Sequence, residues 1–336
     1  DRRKPLLNKA TSGAYPPGST FKMVVAAAAL ELGLIGLRDK IFCPGYYELG
    51  SRKFHCWHKG GHGTIALTEA IQKSCDVYFY ELSRKVGVKN ITRMAKKFGL
   101  GEPYSLPLTG MTKGFMPSKE WKKGRFGKSW LVGDTLNVGI GQGYSLASPL
   151  QLTVMASRIA SGKNINPFLI KPSKQEVSHS EVNKKVEIRA AILKAIRKGM
   201  FDVLNDKEGT AYKYRTIDQK KLIAGKTGTS QVRRITREER ERGVIKNEDL
   251  PWEKRDHALF TCYAPYDNPD YALSVVVEHG GSGSKVAAPI ARDIMLFQLF
   301  NGIPPIEAYP EEQRSEINER LQKIASKLNI SNPNNS

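Results

Sequence analysis

The sequence is poor in negative charge and lacks long apolar runs, a signal peptide and nucleic-acid-binding modules. Its 53 lysines and arginines outnumber 33 aspartates and glutamates, which gives a formal net charge of +20. No apolar run reaches the roughly 18 residues of a membrane-spanning helix, and no secretory leader is visible. Zinc-finger spacings, RNP motifs and helix-turn-helix patterns are missing, so no nucleic-acid partner is expected. The basic surface favours binding to anionic membrane or polyanionic wall material. The alternative is that these surface charges have no specific partner.

The length and composition fit a globular enzyme of one large domain or two. The chain has 336 residues, of which 40% are hydrophobic, and contains 30 glycines. It begins at Asp1 within a charged segment that looks like the interior of a protein, so we expect a fragment. Residues 306–336 are expected to form a polar tail with a weak helix and a disordered end.

The order of helix-like and strand-like patterns predicts an α+β fold. Helices are expected at 19–32, from about 68, and at 77–86, 91–98, 149–160, 187–204 and 287–300. Strands are expected at 221–232, 257–264 and 271–278. Irregular structure is expected at 38–63 and 101–135, and a long exposed charged connection at 233–255.

A serine and a lysine three residues apart, Ser19 and Lys22, stand at the start of the first predicted helix. They would lie one turn apart on the same face, so the amine can take the serine proton and create a nucleophile. The helix N-terminus would favour the resulting alkoxide. Alone the pattern is weak, since residues 282–285 fit it too. A simple helix cap at Ser19 and a lysine that reaches out to water at Lys22 are the alternatives.

A second motif, Ser74-Cys75-Asp76, follows the first along the chain. Ser74 and Asp76 can relay a proton and hold Lys22 in place. Both residue types are also ordinary helix caps, which is the alternative for this motif.

The third motif, Lys226-Thr227-Gly228-Thr229, lies on a predicted strand at the rim of a cleft. Its lysine can attract a substrate carboxylate, its hydroxyls can hydrogen-bond that carboxylate, and Gly228 leaves space for a peptide along the strand edge. An edge strand protected by a lysine is the alternative. The three motifs in this order are the signature of the penicillin-recognising serine enzymes.

With these motifs the chain resembles the transpeptidase domain of class B penicillin-binding proteins, and more narrowly the elongation-specific penicillin-binding protein 2 group of Gram-negative bacteria. The resemblance rests on the segments Tyr15–Lys22, Cys43–Gly45, Gly61–Gly63, Ser74–Tyr80, Gly139–Gly143 and Ala224–Thr229. It implies a penicillin-binding protein/serine β-lactamase-like fold, with an antiparallel sheet flanked by helices and an all-helical subdomain. Residues 1–305 would form the transpeptidase domain. Asp76 departs from the commoner Ser-x-Asn motif, a change that looks ordinary in this group.

The resemblance implies a peptidoglycan D,D-transpeptidase of cell elongation. Ser19 would attack the penultimate D-alanine carbonyl of a stem pentapeptide, expel the terminal D-alanine and pass the acyl group to an amine of a neighbouring strand. Backbone N–H groups of Ser19 and Thr229 would form the oxyanion hole. β-Lactam antibiotics would acylate Ser19 as substrate mimics and inhibit the enzyme.

The resemblance also implies a cellular context. The whole protein would carry an N-terminal membrane anchor and a pedestal outside this sequence, with its catalytic domain in the periplasm at the bacterial inner membrane. Its partners would be a SEDS-family glycan polymerase and the elongation complex. The alternatives are a serine β-lactamase or β-lactam sensor domain, and an inactive penicillin-fold binding module. No Glu-x-x-Asn lies between the second and third motifs to activate a deacylating water, which disfavours a class A β-lactamase.

Three cysteines and a histidine, Cys43, Cys56, His62 and Cys75, fall close together in the sequence, whereas Cys262 stands alone. Three thiolates and one imidazole make a closed tetrahedral zinc set, although the spacing matches no common zinc finger.

The resemblance implies a structural zinc site whose ligands map to these four positions. His55 and His58 compete for the imidazole role, and a Cys43–Cys56 disulfide is the rival in an oxidising periplasm. Because Cys75 lies within the second motif, the metal would brace Ser74 and Asp76.

Overall fold

The computed structural model describes residues 3–170, 184–233, 235–330 and 333–335. The α-helices are α1 Lys9–Ser12, α2 Lys22–Glu31, α3 Leu67–Gln72, α4 Asp76–Lys97, α5 Lys119–Phe126, α6 Val132–Gly139, α7 Pro149–Ser161, α8 Ala190–Asn205, α9 Arg237–Arg242, α10 Ala288–Leu299 and α11 Arg314–Leu328. Within these described ranges, none of the helices is long and apolar enough to span a lipid bilayer.

Three strands in the second half of the chain form an antiparallel sheet in the order β5-β6-β7, with β5 Ala224–Ser230, β6 His257–Ala264 and β7 Tyr271–Val277. The register pairs Thr227 with Phe260, and Phe260 with Val275. The central strand β6 is almost entirely buried. Strand β5 is an edge strand of this sheet, since β6 is its neighbour on one side only. The three strands and the antiparallel sheet confirm the sequence prediction.

Helix α2 forms the centre of the core. Every residue from Lys22 to Leu30 is buried, and the four alanines Ala26–Ala29 let neighbouring helices approach closely. Helix α4 packs against α2, and α8 contacts both α2 and the sheet. The predicted helix at 19–32 is confirmed, but its first turn is the 3₁₀ turn Gly18–Phe21.

Two segments that sequence reasoning left irregular contain regular structure, so those predictions were wrong. The first holds two antiparallel strand pairs: β1 Ile41–Cys43 with β4 Gly63–Ile65, and between them in the chain the hairpin of β2 Tyr46–Leu49 with β3 Arg52–His55. The second holds α5 and α6. These elements are three to eight residues long, too short to produce a clear hydrophobic period.

The helices predicted at 77–86 and 91–98 are joined as α4, which departs from helical geometry at Gly87. The charged connection contains the short helix α9 and is mostly exposed. At the C-terminal end, α11 buries Ile317, Leu321 and Ala325 in a small cluster with Leu296 of α10. The chain end predicted to be disordered includes residues 331–332 and 336, which lie outside the described residues.

A side chain at Gly139 would break the contact between α6 and α4. A Cβ there would lie 1.7 Å from Ser83 Oγ and 2.4 Å from Ser83 Cβ. We expect Gly139→Ala to lower the free energy of unfolding by about 1–3 kcal/mol, as overpacking does, in a denaturant titration.

Gly124→Ala is the matched control, because Gly124 lies inside α5 with nothing within 4 Å of its Cβ position. Alanine there should leave stability unchanged or raise it by up to about 1 kcal/mol. Equal stability of Gly139→Ala and the original protein would contradict the packing described here.

Candidate active site

The turn that carries Ser19 lies against strand β5 through backbone contacts that require glycine. Gly18 has φ +54°, its N–H donates to Gly141 O at 2.8 Å, and a Cβ on Gly18 would lie 2.7 Å from Thr229 O. A Cβ on Gly141 would lie 2.1 Å from Gly18 O. Three backbone segments therefore meet beside Ser19, which is half-buried at the N-terminal end of this helical turn.

Lys22 is fully buried and points at the second motif. Its Nζ donates to Ser74 O at 2.7 Å, to Asp76 Oδ1 at 2.8 Å and to Ser74 Oγ at 3.1 Å. These three acceptors satisfy an ammonium. A neutral amine fits the same geometry if Ser74 Oγ donates to Nζ instead. The site therefore accommodates Lys22 before and after it receives a proton.

The second motif forms the start of α4. Ser74 has φ +55°, a rare conformation for a residue other than glycine, and Cys75 Sγ caps the helix by accepting from Tyr78 N–H. Asp76 uses both carboxylate oxygens, because Oδ2 accepts the backbone N–H of Trp57 at 2.9 Å. Ser74 and Asp76 thus lie together around Lys22, as the sequence predicted for their positions.

Sequence reasoning missed Trp57. Its indole Nε1 donates to Ser74 O at 3.1 Å and to Lys73 O at 3.0 Å. The only signal in the sequence is its place directly after Cys56, and no spacing rule connects it with a motif 17 residues further on.

The third motif lies on the edge strand β5. Lys226 is fully buried, and its Nζ donates to Thr227 O at 3.1 Å and Thr227 Oγ1 at 3.4 Å. Burial lowers the pKa of Lys226 well below the usual lysine value; the charge of Lys22 lowers it further, and Asp76 opposes the shift. Lys226, Lys22 and Asp76 are therefore electrostatically coupled, as one site.

The neighbours of Thr227 and Thr229 were also missed from sequence. The hydroxyls of Thr210 and Thr227 lie 2.9 Å apart, and the exposed Thr229 uses its carbonyl to accept Gln142 Nε2 at 3.0 Å. A Cβ on Gly228 would lie 3.0 Å from Thr20 Cγ2. This glycine therefore lets β5 pack against the turn that carries Ser19, whereas the sequence argument gave its space to a peptide.

The second Ser-x-x-Lys pattern does not build a comparable site. Ser282 Oγ caps the short π-helical turn Gly283–Ala287 by accepting Lys285 N–H at 3.2 Å. Lys285 is more exposed than the buried Lys22. The capping role that was the alternative for Ser19 is therefore the one that Ser282 has here.

The four predicted metal ligands come together next to the second motif. Ligand atoms of Cys43, Cys56, His62 and Cys75 all lie within 4.8 Å of one another. His62 Nδ1 is 3.7 Å from Cys43 Sγ and 3.5 Å from Cys56 Sγ. Bond lengths of about 2.3 Å to sulfur and 2.0–2.1 Å to nitrogen put S and N about 3.5–3.6 Å apart around tetrahedral zinc. The residues therefore fit a closed Cys₃His site.

The rival readings of this cluster find less support. All three of its cysteines have free thiols, as has Cys262 in β6. His58 Nδ1 is hydrogen-bonded to Gly61 O at 2.7 Å, and His55 lies on β3 opposite Tyr46. A hydrogen bond from Cys75 lowers the pKa of the Cys56 thiol, and the same bond together with burial raises that of Cys75.

The buried lysine of the Ser-x-x-Lys motif lies with the second motif beside the edge strand that carries Lys-Thr-Gly, and these three motifs are typical of the penicillin-recognising serine enzymes. The chain belongs to the penicillin-binding protein transpeptidase domain family, which matches residues 1–296. This finding confirms the family predicted from the sequence.

Individual relatives agree. The peptidoglycan D,D-transpeptidase MrdA of Haemophilus influenzae is 36% identical over 337 residues, which cover 96% of this chain and 50% of that protein. The crystal structure of Pseudomonas aeruginosa PBP2 in complex with WCK 5153 has a TM-score of 0.75 at 35% identity, over 92% of this chain and 67% of that one. Helicobacter pylori PBP2 in complex with MreC gives the same TM-score and identity, over 90% and 52%. The chain thus spans about half the length of the MrdA relative.

The buried amine of Lys226, whose hydrogen bonds go to Thr227, is expected to cost stability. Lys226→Met keeps the length of the side chain and removes the charge, so we expect the free energy of unfolding at pH 7 to rise by about 1–4 kcal/mol. The pKa of Lys226 is lower in the folded protein than in the unfolded chain, so the unfolded chain binds the lysine proton more tightly. The original protein therefore becomes more stable as pH rises toward about 10.4, and the stability advantage of Lys226→Met should shrink over that range.

Thermal and denaturant unfolding at pH 7 and pH 9 measure this effect. Lys194→Met on the exposed side of α8 is the control and should stay within about 0.5 kcal/mol. A Lys226→Met protein that is less stable than the original at both pH values would overturn the electrostatic account.

Proposed function

We propose that this chain is the catalytic part of a peptidoglycan D,D-transpeptidase that crosslinks stem peptides during cell elongation through a Ser19 acyl-enzyme. The observation that carries the proposal is the buried Lys22, held by Ser74 and Asp76 one helical turn from Ser19. The similarity to a protein named peptidoglycan D,D-transpeptidase supports it.

In acylation, Ser19 Oγ attacks the carbonyl carbon of the penultimate D-alanine while its proton passes to neutral Lys22. Asp76, 2.8 Å from Lys22 Nζ, compensates the positive charge that forms. The C–N bond to the terminal D-alanine then breaks, and a proton from Lys22, relayed by Ser74 Oγ at 3.1 Å, completes the leaving amine.

The acyl-enzyme is then attacked by an amine of a second stem peptide. That amine gives up a proton to the same Lys22–Ser74 pair, the ester bond to Ser19 breaks, and Ser19 regains its proton. The crosslink is an amide, so the sequence of steps releases one D-alanine and consumes no cofactor. Both half-reactions use one proton-carrying group, which is why its hydrogen bonds matter.

Substrate orientation falls to β5. Lys226 is buried within β5, where its amine can attract a substrate carboxylate. The Thr227 hydroxyl and the exposed Thr229 can hydrogen-bond the peptide, and the close approach of Gly18 to Thr229 supports an oxyanion hole made of the Ser19 and Thr229 N–H groups.

We also propose the setting that the family implies: the periplasmic face of the bacterial inner membrane, reached through an anchor outside this sequence. The likeness to a PBP2 structure in complex with MreC supports a place in an elongation complex. A SEDS-family glycan polymerase is the proposed source of the strands to be crosslinked. The formal charge of +20 suits contact with anionic wall or lipid material.

We propose zinc as a structural metal at Cys43, Cys56, His62 and Cys75. The fit of the four ligand atoms and the free thiols support this choice. A bound zinc would be held by Cys43, Cys56 and His62 of the two small strand pairs and their connections, and by Cys75 at the start of α4. Cys75 lies between Ser74 and Asp76, so its position affects how both reach Lys22.

Penicillin should label Ser19. After brief incubation, intact-protein mass spectrometry should show one adduct that persists through a chase, and peptide mapping should assign it to Ser19. Ser19→Ala should form none.

An adduct that vanishes within seconds would replace the proposal with a β-lactamase. An adduct on Ser282 or Ser284 would contradict the assigned nucleophile, and no adduct on the original protein would favour an inactive binding module.

Cys75→Ala should lower both the bound zinc and the acylation rate, because it removes one of four ligands inside the second motif. Elemental analysis of the purified protein should find one zinc per chain before the substitution. Cys262→Ala is the matched control: its thiol is equally buried but lies in β6, and its zinc content should not change. Protein without zinc in which Cys43 and Cys56 are disulfide-linked would contradict the metal site.

A further inference from the structure

Trp57 connects the cysteine cluster to the second motif. It follows Cys56 directly, and both of its N–H groups are used. The backbone N–H donates to Asp76 Oδ2 at 2.9 Å, and the indole Nε1 donates to Ser74 O at 3.1 Å and Lys73 O at 3.0 Å. One residue thus holds the two ends of the Ser74–Asp76 segment.

The groups that Trp57 holds are those that hold Lys22. Ser74 O accepts from both Lys22 Nζ at 2.7 Å and the indole. Asp76 offers one oxygen to Lys22 and the other to the Trp57 backbone. The hydrogen bonds to Trp57 therefore fix where the acceptors of Lys22 stand, without a contact between Trp57 and Lys22 itself.

The local backbone explains why such support is needed. Ser74 has φ +55°, and a residue other than glycine keeps this conformation only where its surroundings impose it. The carbonyl of Ser74 points at the indole of Trp57, so the indole hydrogen bond acts on the strained residue directly.

We infer that Trp57 is a positioning residue, whose indole N–H keeps the Ser74 carbonyl, and with it the Ser74 hydroxyl, in place for proton transfer through Lys22. This inference rests on the proposed transpeptidase function. Trp57 is 57% exposed, so its ring adds little to the core, and losing one hydrogen bond at such a site leaves the fold intact. A positioning role is therefore separable from a stabilising one.

Both test substitutions remove the indole N–H and keep an aromatic side chain at position 57. Trp57→Phe and a protein with 3-benzothienylalanine at position 57, an indole isostere with sulfur in place of N–H, are compared with the original protein.

Rapid-mixing kinetics with a chromogenic penicillin separate the dissociation constant of the non-covalent complex from the rate constant of acylation. We expect the acylation rate constant to fall roughly 10- to 100-fold in both variants, as small misplacements at a reacting centre do. The dissociation constant, melting temperature and zinc content should remain unchanged.

Trp130→Phe is the matched control, because its indole N–H donates to Thr135 Oγ1 at 2.8 Å instead of to the second motif. It should acylate at the original rate. Wild-type acylation by the benzothienylalanine protein would overturn the inference, since the N–H would then be dispensable. A lower acylation rate that is explained by a lower zinc content or melting temperature would overturn the inference too.

The two proposals fail in different ways. If the original protein forms no Ser19 adduct, the proposed function fails. If it does, and both Trp57 variants react at the original rate, only the positioning role is lost.

Discussion

The site depends on a lysine that is buried without access to water. Lys22 can be placed in the core of the protein only because Ser74 and Asp76 supply three acceptors within 3.1 Å, since an unpaired buried cation costs several kcal/mol. Those acceptors stand 52 and 54 residues further along the chain. The packing of α2 against α4 is therefore at once a feature of the core and the means by which the site is assembled.

The electrostatic balance of the site follows from the same contact. Two fully buried lysines, Lys22 and Lys226, share the neighbourhood of a single carboxylate, Asp76, and the resulting repulsion adds to burial in lowering the pKa of Lys226. Under the proposed function, a substrate carboxylate, such as that of a peptide C-terminus or a penicillin, would add a negative charge beside these lysines on binding.

Small residues set the remaining geometry. Gly18 and Gly141 allow backbones to meet at distances that any Cβ would prevent, so the turn carrying Ser19 lies directly against β5. Trp57, which follows Cys56 of the cysteine cluster, contacts the second motif through Asp76 and Ser74. Ser74 and Asp76 are thus held by Lys22 of α2 and by Trp57, which lies just after β3, and these two sets of contacts can keep the left-handed backbone of Ser74 in place.

The sequence by itself determined the family, the α+β class, the three strands and the long helices, and it identified Ser19, Lys22, Ser74, Asp76 and Lys226 as candidates. These features are local patterns: periods of two and 3.6, and motifs of three or four residues in a fixed order. Catalytic roles for these residues, and zinc at the cysteine cluster, remain predictions.

Only the tertiary structure decided which distant groups meet. The hydrogen bonds of Trp57 to Ser74 and Asp76, the contact of Thr210 with Thr227 and the packing of Gly228 on Thr20 join segments that no spacing rule relates. The short strands and helices at 41–65 and 119–139 were missed for the same reason, because elements of three to eight residues are stabilised by what they pack against and leave little periodic signal in their own sequence.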